Sequence, residues 1–77
     1  MLQTNQLQAA RAAEWDAYRA WKRADDANKA ARERANERTR GGFPSYLVKA
    51  GLRLREATLA HQEAQRALLE LVRAQVA

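Results

Sequence analysis

The sequence predicts an all-α fold: two long helices folded back on each other as an antiparallel, coiled-coil-like hairpin. Three observations carry that prediction. Alanine, arginine, leucine, glutamate and glutamine dominate the 77 residues, the mixture of long helices and coiled coils. Helix breakers are almost confined to one place, since Gly41, Gly42 and Pro44 are three of the four glycine and proline residues. On either side of that break, small and apolar residues recur at alternating spacings of three and four, the seam of a left-handed coiled coil.

The first helix is expected over about residues 5–40. Thr4 and Asn5 offer N-cap side chains, and nothing between them and Arg40 breaks a helix. About 36 residues at 1.5 Å each make a rod of about 54 Å. Arg38 and Arg40 suit the negative end of the helix dipole, and Gly41 can take the left-handed conformation that ends a helix. The loop is residues 41–44, with Phe43 held extended by Pro44. The second helix runs over about 45–75, with Ser45 as its cap or Pro44 in its first turn. Its one internal oddity is Gly51, worth about 1 kcal/mol less than alanine in a helix. So short a connection forces the helices antiparallel and adjacent.

In the first helix Ala10, Ala13, Ala17, Ala20, Ala24, Ala27 and Ala31 trace the seam; in the second, Leu47, Ala50, Leu54, Ala57, His61, Ala64, Leu68 and Leu71 do. Alanine lets helix axes approach closely but buries little area. A chain this short seldom holds together on one core without disulfides, a metal or oligomerisation. It has no cysteine and one histidine, which removes disulfides and thiolate metal sites and leaves oligomerisation.

The surplus apolar residues point the same way. Leu7, Trp15, Tyr18 and Trp21 in the first helix, and Leu52, Leu59, Leu69 and Val76 in the second, fall beside the two seams. One partner helix cannot cover them all, so they are assigned to a further interface with another copy or another protein. Two hairpins pairing into a dimeric four-helix bundle is the economical solution.

Charge is segregated. Residues 29–55 hold eight basic side chains, Lys29, Arg32, Arg34, Arg38, Arg40, Lys49, Arg53 and Arg55, against Glu33 and Glu37, for a net +6. The chain's whole net charge is +5. Lys29, Arg32, Arg38, Arg40, Lys49 and Arg53 are therefore the candidates for contacting nucleic-acid phosphates or an acidic protein. Phe43 and Tyr46 either stack on bases or plug the open end of the hairpin, and the plug is preferred.

Chemistry is poorly represented. His61 falls on a seam position with no serine nearby, and Thr58, one turn away, has no recognised partner, which favours a packing role. Lys22 with Asp26, Asp25 with Lys29 and Lys29 with Glu33 read as surface ion pairs. There is no phosphate-cradling glycine motif, and Gly41-Gly42 is followed by Phe-Pro rather than lysine and serine. No catalytic, cofactor-binding or metal-binding residue is assigned, and no small-molecule substrate. No apolar run is long enough for a membrane span, and the first residues lack the pattern of a secretory signal, so a cytoplasmic location is expected. The expected function is that of a non-enzymatic helical interaction or adaptor protein that self-associates and binds another macromolecule. Its size suits an accessory protein of a phage, plasmid or other mobile element. Two alternatives stand beside this: a nucleic-acid-binding regulator using the basic end, and a protein inhibitor of a host complex.

Overall fold

The computed structural model describes residues 2–37 and 44–76, with side chains from residue 5 onward. Two helices, α1 (Leu2–Glu37) and α2 (Ser45–Val76), lie in contact along a rod of 59 × 15 × 14 Å. They run antiparallel: Arg34 near the end of α1 meets Tyr46 at the start of α2, while Glu14 meets His61 further along. α1 begins at Leu2, so Thr4 and Asn5 lie within it rather than ahead of it. The expected helix end at Arg38–Gly41 and the loop residues Gly42 and Phe43 lie outside the described residues. Pro44 is the residue that caps α2. Its carbonyl accepts the amides of Leu47 at 3.0 Å and Val48 at 3.3 Å, and its missing N–H costs nothing where a helix has no acceptor to offer.

The seam of α2 is the expected one. Leu47, Ala50, Leu54, Ala57, His61, Ala64, Leu68 and Leu71 are all half-buried against α1. In α1 the phase differs from the alanine reading. The seam column is Leu7, Ala10, Glu14, Ala17, Trp21, Ala24, Asn28, Ala31 and Ala35, again spaced three and four, all half-buried except the buried Asn28, whereas Ala13, Ala20 and Ala27 are exposed. Both phases share Ala10, Ala17, Ala24 and Ala31. What separates them is which neighbouring column faces α2, a rotation of about 50°. Turning Leu7 and Trp21 inward removes far more apolar surface from water than turning in three alanines, and it brings Glu14 and Asn28 along.

That choice accounts for the two polar features of the seam. Asn28 is 5% exposed, the one buried residue among those described. It sits opposite Gly51, where an added Cβ would lie 3.9 Å from Asn28 Nδ2. A methyl group would fit there, while a large side chain at residue 51 would compete for the space Asn28 fills. A single buried polar residue on a coiled-coil seam fixes register at some cost in stability. Among the described residues no apolar side chain is fully buried. Two helices enclose a line of contact, not a core.

Candidate interaction surface

Placing both helices on one heptad wheel shows what the hairpin leaves open. On α2, the side away from α1 carries Val48, Leu52, Arg55, Leu59, Gln62, Arg66, Leu69, Arg73 and Val76, spaced alternately by four and three. The five apolar members are all 48% exposed or more, and Val72, at the edge of the stripe, is 38% exposed. This is a second coiled-coil seam in pattern, with arginines and a glutamine set into it. Over residues 48–76 it extends about 42 Å. Leu52, Leu59, Leu69 and Val76 were expected to be surplus to the hairpin; Val48 and Val72 belong with them and were not singled out. The signal for Val48 was present, since it stands four residues before Leu52 in the same alternating pattern.

The α1 residues assigned to the same surface are placed differently. Leu7, Tyr18 and Trp21 are half-buried at the contact with α2, and only Trp15 is largely exposed. Trp15, Tyr18 and Trp21 form a ladder up the helix, with ring centroids 5.6 Å and 5.9 Å apart. Its inner two rungs meet His61, at 5.7 Å from Tyr18 and 6.2 Å from Trp21. Arg19 lies over the outer rung at 5.9 Å, so the exposed indole is partly covered by a cation from its own helix.

His61 has the acid that the local sequence does not supply. Its Nε2 lies 2.8 Å from Glu14 Oε1 across the seam, and both side chains are mostly shielded. An ionised carboxylate only accepts, so Nε2 carries the proton in this contact. Glu14 was legible only with the correct phase of α1, as a polar residue between Ala10 and Trp21. The nearest hydroxyl in sequence, Thr58 Oγ1, donates to the Leu54 carbonyl at 2.7 Å. Among the described residues no group of three or more His, Cys, Asp or Glu is placed to hold a metal ion.

At the loop end, Lys29 is held by Asp25 at 3.1 Å. The hydrogen bond that Lys29 donates to Asp25, and then the Asp25 charge, raise the Lys29 ammonium above the usual lysine range. Lys22 pairs with Asp26 at 3.5 Å and Arg19 with Asp16 at 2.6 Å. Arg32 is exposed, and Arg38 and Arg40 lie outside the described residues. Lys49 and Arg53 line an open groove of about 160 Å³ between the helices with Ala24, Ala27, Tyr46 and Ala50. Tyr46 is half-buried with Arg34 over its ring at 4.8 Å. Its hydroxyl is shielded from solvent with no partner among the described residues. That placement fits a ring that closes the end of the seam. Among the described residues no helix is long and apolar enough to cross a membrane. No family model, no curated protein and no solved structure matches this chain.

Proposed function

We propose that this chain is a small helical interaction protein that self-associates and docks on another macromolecule, with the outer face of α2 as its principal contact. One observation supports this above the others: the stripe from Val48 to Val76 has the spacing of a coiled-coil seam and, among the described residues, nothing covers it. Covering a half-exposed leucine is worth about 1 kcal/mol, and association costs on the order of 4–15 kcal/mol in lost freedom. The balance is a concentration-dependent complex rather than a permanent one. Sedimentation at tens of micromolar is expected to show a dimer or larger species, with a melting temperature that rises with concentration. A monomer that melts cooperatively above about 60 °C, in the upper range for ordinary domains, would overturn the reading, because the thin hairpin would then need no partner.

A second reading rests on the groove between Lys49 and Arg53, which no acidic side chain lines. It makes the basic end a nucleic-acid contact. Binding there would weaken steeply with salt, as each neutralised phosphate releases counterions, and would show little sequence preference. Replacing Arg38, Arg40 and Arg53 by glutamine should then lower affinity and flatten the salt slope together. Titration of labelled RNA and DNA at about 50 mM salt tests it, and absence of binding at tens of micromolar removes it.

A further inference from the structure

We infer that the outer face of α2 is occupied by the same face of a second copy, antiparallel, in the register where Leu59 faces Leu69 of the second copy and Leu52 faces its Val76. The inference rests on the self-association reading and gives it a partner and a geometry. Antiparallel pairing sets the column of Leu52, Leu59, Arg66 and Arg73 against the column of Val48, Arg55, Gln62, Leu69 and Val76. In the stated register two different apolar pairs form, each made twice by symmetry, while Arg66 falls on Gln62 of the second copy and Arg73 on its Arg55. A slip of one heptad in one direction pairs Leu52 with Leu69 but sets Leu59 on Gln62 and Arg66 on Arg55. A slip in the other direction pairs Leu59 with Val76 and leaves Leu52 beyond the end of the second helix. No other register matches more than one such pair.

The glutamates offset part of this arginine charge in the antiparallel arrangement and none of it in the parallel one. Glu56, Glu63 and Glu70 form the column beside Leu59 and Arg66 on α2. Antiparallel packing brings that column to the matching edge of the second copy. Arg66 then reaches Glu63 of the second copy, and Arg73 reaches its Glu56. In a parallel pair the same glutamates would lie beside Gly51, Thr58, Gln65 and Val72, which carry no charge. Arg55, Arg66 and Arg73 would each face themselves. Because the stripe lies away from α1, this dimer is a row of four helices with the two α2 helices in the middle, not a closed square bundle.

The chain has no cysteine, so single cysteines report the register directly. An equimolar mixture of Leu59→Cys and Leu69→Cys, one of them isotopically labelled, is oxidised at a concentration where the unmodified chain sediments as a dimer. The mixed disulfide between residues 59 and 69 is expected to dominate. Residue 59 and its own counterpart would stand ten residues apart along the axis, about 15 Å, beyond the reach of a disulfide. Leu52→Cys with Val76→Cys repeats the test should either first variant lose its helical signal. Self-linked 59–59 and 69–69 products would establish a parallel pair and overturn the inference. A dimer in which neither cysteine pair links would overturn it while leaving self-association standing. A monomer at these concentrations would remove both.

Discussion

The two helices carry the same heptad wheel and use its outer side in opposite ways. On α1 the outer positions are Gln8, Ala12, Trp15, Arg19, Lys22, Asp26, Lys29 and Glu33, and pairs within the helix satisfy most of their charge: Arg19 with Asp16, Lys22 with Asp26, Lys29 with Asp25. These are exposed contacts that add little stability but make a face that is well solvated as it stands. On α2 the same positions hold three leucines and two valines, and no ion pair among the described residues involves that helix except His61 with Glu14 on its inner side. A helix that is apolar on two opposite sides is built to lie between neighbours. The hairpin supplies one neighbour. The contrast teaches that the apolar surface left open by the hairpin lies on α2, while the outer side of α1 is already solvated.

The sharpest way to break the contrast is to make α2 resemble α1. Leu59→Gln with Leu69→Gln should weaken association at least a hundredfold, about 3 kcal/mol, measured by sedimentation across a dilution series. Helix content at high concentration should stay close to that of the parent. Lys22→Gln with Ala12→Gln, on the outer positions of α1, should leave association unchanged. Equal losses from both pairs would mean that α1 contributes as much of the interface as α2. The inner and outer sides of α1 separate next. Trp21→Ala should cost about 2 kcal/mol in a thermal or denaturant melt, a discounted value for a half-buried aromatic. Trp15→Ala, which leaves an exposed rung, should cost less than about 0.5 kcal/mol.

The cross-seam pair gives a smaller effect. His61→Leu alone should keep the fold and lose no more than about 0.5 kcal/mol, because the Glu14 carboxylate keeps some exposure and can turn toward water. Leu at both Glu14 and His61 should raise stability by about 1 kcal/mol, as replacing a shielded polar pair by apolar packing often does. A double variant less stable than both single variants would show that the pair contributes net stability and is not kept for register alone.

The wheel also explains what could be read from the chain. The hairpin was legible because its breakers cluster at Gly41–Pro44. The seam of α2 was legible because Leu47, Leu54, Leu68 and Leu71 fall in one phase with alanines and His61 between them. In α1 alanine fills adjacent columns, and Ala13, Ala20 and Ala27 look as suitable as their neighbours. The true column holds Glu14 and Asn28, which count against burial in any reading by residue type, and their cost is met only once α2 supplies His61 and the space at Gly51. The partner of His61 was missed for that reason. The outer stripe of α2 was read in part: the leucines stood out, while Val48 and the interleaved arginines joined it only when both sides of the helix could be phased together.

Gly51 offers the finest test, because it touches inner packing and helix propensity at once. A glycine inside a helix costs about 0.5–1 kcal/mol relative to alanine through the freedom it loses on folding. Nothing in its surroundings forbids a methyl group: the nearest atom to an added Cβ is Asn28 Nδ2 at 3.9 Å, an ordinary van der Waals separation. Gly51→Ala should therefore stabilise the hairpin by about 0.5–1 kcal/mol, seen as a higher melting temperature at fixed concentration. It should leave association through the outer face of α2 unaltered, since residue 51 faces α1. Gly51→Leu should reverse the sign, because a long side chain would have to displace Asn28, the most buried residue of the seam among those described. If alanine also destabilised, the asparagine would need more room than a methyl group leaves, and the pairing of Asn28 with Gly51 would be a stricter register lock than the 3.9 Å separation implies.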